Sequence, residues 1–157
     1  MVKSTWHIHI RGQVQGVGFR PFVYKQAREF NLHGWVNNTV DGVHIEFNSK
    51  EATAADFYDS ILENAPGLSR ITHHDLKQID SKEFHDFQII QSESKGKRNL
   101  LLTPDFAMCD RCRSELFDKT DRRFKYPFIT CTLCGPRYSI IEKLPYDRET
   151  TTMEKFT

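Results

Sequence analysis

Residues Gly12-Gln13-Val14-Gln15-Gly16-Val17-Gly18-Phe19-Arg20-Pro21 separate a stretch that alternates like a strand from one spaced like a helix, and the reading of this junction decides the fold. Upstream, Thr5–Arg11 puts Trp6, Ile8 and Ile10 on one side and His7, His9 and Arg11 on the other, the period of a half-buried strand. Downstream, Pro21 suits the first helical position, Phe22, Ala27 and Phe30 recur at helical spacing, and Gly34 reads as the stop. A second strand fits His33–Thr39. Asp41-Gly42 is a hairpin signal, after which Val43, Ile45 and Phe47 alternate with His44 and Glu46 as an antiparallel third strand. Ser49 can cap a second helix that runs to about Asn64, with Phe57, Ile61 and Leu62 inward and Pro66-Gly67 closing it. Ile71–Ile79 and Phe87–Gln91 supply the last strands. The order is the split βαβ of an α+β, ferredoxin-like (βαββαβ) domain over residues 1–91: two helices on one face of an antiparallel sheet.

The loop itself has the composition of an anion cradle. Two glycines let successive N–H groups converge at a helix start, where the dipole favours negative charge, and Arg20 adds a planar fork of donors. A dinucleotide fingerprint would want glycine where Pro21 stands, and a Walker loop would want an ending in Gly-Lys-Ser/Thr. By itself the pattern also fits an ordinary glycine-bearing turn with a solvated arginine.

The remaining chain is of a different kind. Residues 92–104 begin with SESKGKRN and read as a linker, and a module over 105–157 follows that is too short for a self-sufficient apolar core. Within it, Cys109-Asp110-Arg111-Cys112 and Cys131-Thr132-Leu133-Cys134 form two C-x2-C pairs eighteen residues apart. Four thiolates from two tight turns close a tetrahedral site with no open position, so one structural Zn2+ on Cys109, Cys112, Cys131 and Cys134 is expected. A pair of redox motifs is the rival, without the βαβ context that such a motif uses.

Composition limits the function classes. The 157 residues carry a formal net charge of +1, so no global charge drives binding to nucleic acid or membrane. Residues 1–91 hold nine Lys and Arg against eleven Asp and Glu, and residues 92–157 hold thirteen against ten. The start lacks the apolar run of a secretory signal, and no stretch approaches 18 apolar residues, so the expectation is a cytoplasmic protein with reduced thiols and no membrane contact. Arg111, Arg113, Arg122, Arg123, Lys125 and Arg137 interleave with Phe124, Tyr126 and Phe128 as a nucleic-acid ribbon would, but Asp110, Glu115, Asp118 and Asp121 lie among them. Nucleic acid is therefore not the expected partner. His73 and His74 adjoin on a predicted strand and face opposite ways. His7, His9, His33, His44 and His85 show no ligand spacing with a carboxylate or cysteine, and the twelve phenylalanines read as filling two small cores.

Gly12–Arg20 together with Gly34-Trp35-Val36-Asn37-Asn38-Thr39-Val40-Asp41-Gly42 resembles the two signature regions of acylphosphatases, in a matching order of elements. The resemblance implies that Arg20 grips a phosphoryl group with the loop amides of Gln15, Gly16, Val17, Gly18, Phe19 and Arg20, and that Asn38 positions the attacking water. Asn37, on the opposite strand face, is a neighbour only. With the four-cysteine module, with Thr103-Pro104-Asp105 before it and Cys-Gly-Pro-Arg-Tyr-Ser from Cys134 on, the chain resembles the N-terminal part of the HypF carbamoyltransferases of [NiFe]-hydrogenase maturation. That family implies carbamoyl phosphate as substrate and, through the full-length protein, carbamoyl transfer to a HypE-type partner for cyanide ligand synthesis. Its second finger and its nucleotide-binding and transfer domains would follow Thr157, so this chain reads as a piece or a shortened relative that hydrolyses but does not carry out ATP-dependent transfer. A free-standing acylphosphatase of broader range and a non-enzymatic nucleic-acid-binding finger protein remain as alternatives.

Overall fold

In the computed structural model, residues 4–91, 106–143 and 146–155 are described. The elements are β1 (Ser4–Gln13), α1 (Phe19–Glu29), β2 (His33–Thr39), β3 (Gly42–Ser49), α2 (Glu51–Glu63), β4 (Arg70–Ile79), β5 (Phe87–Ile89) and α3 (Asp110–Phe117). Short 3-10 turns at Tyr138–Ile140, Arg148–Thr150 and Thr152–Lys155 complete the second module. The expected linker at 92–104 lies outside the described residues.

The sheet runs β4-β1-β3-β2-β5. Its four long strands pair antiparallel as expected, but β5 joins the edge parallel to β2, with Gly34 opposite Phe87 and Val36 opposite Ile89. The sheet is thus mixed, and the antiparallel expectation fails at this edge. The reason is connectivity: β4 ends beside Thr5, at the end of the sheet where β2 begins, so the chain passes along that end and β5 enters at the far edge in the direction of β2.

Period-two burial holds as read. Trp6, Ile8 and Ile10 of β1, Val43, Ile45 and Phe47 of β3 and Val36 of β2 form one buried face. Both helices pack on it, through Phe19, Val23 and Ala27 of α1 and Ala54, Phe57 and Ile61 of α2. Phe57 sits edge-on to Phe47 with ring centroids 5.0 Å apart. A second, smaller cluster centres on Cys112, Ile129 and Cys134. Phe117 and Phe128 stay exposed, so not every phenylalanine fills a core.

Several boundaries differ from the sequence reading. Helix α1 starts at Phe19, so Pro21 is its third residue and Arg20 its second; an imino residue is tolerated in a first turn whose N–H groups lack intrahelical partners anyway. The helix ends not at Gly34 but through Asn31, which takes φ 52° while the Leu32 amide donates to the Ala27 carbonyl. Gly34 lies within β2, where a Cβ would stand 1.9 Å from the Glu46 carbonyl oxygen. The hairpin turns on Val40 and Asp41, with Thr39 opposite Gly42. Ser49 is the last residue of β3 and Lys50 precedes α2, so Ser49 is no cap. The histidine reading is also corrected: strand register sets His9 opposite His44, and the turn brings Asp41 against both. The Asp41–His44 contact is local, but His9 reaches it only through the strand register.

Candidate active site

The junction loop is pinned from below by Val14 and Val17, both fully buried. Gly16 and Gly18 adopt φ 73° and 77°, left-handed values that side chains disfavour. Gly18 caps α1; no side chain caps this end and no acidic residue occupies the first turn, so the positive end of the helix is uncompensated from within.

Arg20, on that first turn, reaches Asn38 on β2. With the Asn38 amide turned so that its oxygen faces the guanidinium, it accepts from Arg20 Nε at 3.1 Å and Nη2 at 3.3 Å. Strand alternation keeps Asn37 on the other face, beside His44 in the register, as the sequence reading held. Gln15 is buried, and its side chain is spent on tethering the loop: the amide donates to the Thr39 carbonyl at 2.8 Å and the Gly42 carbonyl at 3.2 Å, and accepts from the Tyr146 amide at 3.2 Å. Phe19 and Val17 give their side chains to the core. Of the loop residues expected to hold phosphate, all but Val17 line a pocket of about 290 Å3, which Arg20 and Asn38 share.

The far wall of that pocket comes from the second module, a feature with no local sequence signal. Thr130, Thr132, Gly135, Pro136 and Tyr146 line it. A Cβ on Gly16 would meet Pro136 at 2.7 Å and one on Gly18 would meet Thr132 at 2.9 Å, so both glycines serve close approach as well as the turn. Asp147 Oδ1 accepts from Arg20 Nη2 at 2.5 Å, and the Tyr146 carbonyl lies 3.4 Å from the same nitrogen. Burial, and then the Asp147 charge, push the Tyr146 phenol up, so it stays neutral. Among the described residues the lining holds no histidine, and the carboxylate beside it, Asp147, is paired with Arg20. Such a site can stabilise anionic charge and align a reactant.

The four cysteines converge as their spacing implied. Sulfur separations are 3.6 Å for Cys109 and Cys131, 3.8 Å for Cys131 and Cys134, and 3.9 Å for Cys134 and Cys112. Zn–S bonds of about 2.3 Å put tetrahedral ligands about 3.8 Å apart, so the set fits zinc. Burial and the three neighbouring thiols push the Cys112 thiol up. Arg137 braces the knuckles by donating to the Phe106 carbonyl at 2.7 Å and the Ile129 carbonyl at 3.2 Å. Arg111 and Arg123 both pair with Glu115, at 3.2 and 2.5 Å, which subtracts from the basic stripe. Among the described residues no helix is long and apolar enough to cross a membrane.

Comparison with known proteins matches residues 6–89 to the acylphosphatase family and residues 108–141 to the HypF finger. The carbamoyltransferase HypF of Synechocystis sp. is 46% identical over 98% of this chain and 20% of its own length. An acylphosphatase of Staphylococcus aureus is 36% identical over 54% of this chain and 98% of its own. A crystal structure of full-length HypF in the phosphate- and nucleotide-bound form superimposes with a TM-score of 0.89 at 44% identity, over 100% of this chain and 21% of that one. The chain thus spans about a fifth of the length of the HypF proteins it matches.

Proposed function

Since the chain belongs to the acylphosphatase family and carries the HypF finger of the carbamoyltransferases whose N-terminal part it matches, we propose that its pocket hydrolyses carbamoyl phosphate as the opening step of HypF-type carbamoyl transfer. The observation that carries this reading is the meeting of Arg20 and Asn38 at the uncompensated start of α1, in a pocket sized for a small acyl phosphate. Amides of Gln15–Arg20 and the Arg20 guanidinium hold the phosphoryl oxygens, and the Asn38 amide orients a water in line with the leaving oxygen. Water attacks phosphorus and the bond to the acyl oxygen breaks. Carbamate leaves as a stable anion, so no general acid is needed. Substrate must take Arg20 from Asp147 or share it. One Zn2+ on Cys109, Cys112, Cys131 and Cys134 keeps the second module folded against the loop and takes no part in the hydrolysis. In the HypF setting the carbamate would pass to ATP-dependent domains and then to a HypE-type partner.

Phosphate release from carbamoyl, acetyl and benzoyl phosphate tests the reading. Carbamoyl phosphate should give the highest kcat/KM, and Asn38→Ala should lose about a hundredfold in kcat. Faster turnover of acetyl or benzoyl phosphate would instead favour an acylphosphatase of broader range.

A further inference from the structure

Behind the hairpin that carries Asn38, the sheet face turned away from the helices holds a second ligand set. His9 and His44 stand directly opposite in the β1–β3 register, with ring centroids 4.1 Å apart and planes within 18°. Asp41, at the turn, offers one carboxylate to both: Oδ1 lies 3.1 Å from His44 Nε2 and Oδ2 lies 3.6 Å from His9 Nε2. Among the described residues, this is the one group besides the cysteines in which three metal-ligating atoms come within 4.8 Å of one another. We propose that His9, His44 and Asp41 bind one borderline divalent transition-metal cation, Zn2+ or Co2+ in class, at a site distinct from the finger.

The geometry is close to what ligation requires. Metal–nitrogen bonds of about 2.1 Å put tetrahedral donors about 3.4 Å apart, and both carboxylate–imidazole separations lie within a few tenths of an ångström of that. To ligate through Nε2, His44 must carry its proton on Nδ1, and His7 Nε2 stands 2.9 Å from that atom, ready to accept it. A partner at the outer nitrogen that fixes the tautomer is the usual support of a metal-bound imidazole. Two imidazoles with one carboxylate suit zinc and its neighbours; magnesium and calcium want oxygen cages. Arg11 Nε also approaches His9 Nε2, at 3.5 Å, a weak contact that a cation would replace. An occupied site would tie the turn to β1 and so stiffen the hairpin that Gln15 links to the phosphate loop. The proposal does not depend on the hydrolytic reading.

The test uses the full chain loaded with one equivalent of Zn2+ in the finger and titrated with Co2+. A second equivalent should bind with visible d–d absorption but without the near-ultraviolet charge-transfer band of thiolate ligands. His44→Ala and Asp41→Asn should each weaken that second binding at least tenfold and leave the first equivalent in place. In the unmutated chain, Zn2+ should shift the ring resonances of His9 and His44 and leave those of His33 and His85 unmoved, a readout that needs no variant to fold. No second equivalent, a second equivalent of unchanged affinity in both variants, or shifts at His33 and His85 instead would overturn the proposal.

Discussion

The two halves of this chain are held together by different physics and meet at one pocket. Residues 4–91 bury a continuous apolar layer between five strands and two helices. Among its described residues the second half has one short helix, three 3-10 turns and a cluster built on Cys112, Ile129 and Cys134. The first can fold on hydrophobic burial; the second needs its cation. Yet the weaker half supplies Pro136, Tyr146 and Asp147 to a site whose Arg20 and Asn38 belong to the stronger one. The apolar scaffold thus provides the start of α1, Arg20 and Asn38, and the cysteine module provides the facing wall.

Removing the metal should separate the halves most sharply. Structural zinc contributes on the order of 10–16 kcal/mol of apparent binding energy, so strong chelation or Cys112→Ser should unfold residues 106–155. Both tryptophans, Trp6 and Trp35, lie in the sheet, so their emission and its denaturation midpoint should hardly move while protease cuts the second half. A joint loss of both signals would break the division. Phe57→Ala sharpens it from the other side: deleting a ring buried between Phe30 and Phe47 should cost about 3–5 kcal/mol in the tryptophan-monitored transition. Zinc retention under native conditions should be unaffected.

How far each half was legible follows from the same division. Alternation over Thr5–Arg11 and Val43–Phe47 specified strands because one face is buried and the period is two. Gly34 was misread because a glycine can end a helix or admit a neighbouring backbone, and only the Glu46 carbonyl at its side decides between them. The parallel pairing of β5 depends on where β4 ends in the sheet, which no local pattern carries. The cysteine spacing declared its cluster outright. Asp147 did not, since nothing around it distinguishes a partner for Arg20 from any other surface acid until the modules are packed. The meeting of His9 with Asp41 and His44 was missed for the related reason that register, not spacing, brings His9 to that pair.

The smallest expected effect concerns the contact between the halves. The Arg20–Asp147 pair is partly buried, and an asparagine there could still accept from the guanidinium, so losing the charge alone should be worth about 1 kcal/mol. Asp147→Asn should therefore lower KM for carbamoyl phosphate by no more than about fivefold, because one competitor for the guanidinium is weakened while the wall stays in place. A rise in KM would mean that Asp147 helps to seat the substrate instead.

The central claim is that the α1 terminus with Arg20 is where an acyl phosphate is cleaved. Steady-state phosphate release from carbamoyl phosphate by Arg20→Ala, with circular dichroism and zinc content matched to the unmutated chain, tests it most directly. The account predicts a loss of about a hundredfold or more in turnover, and near-full turnover in the matched variant would contradict it.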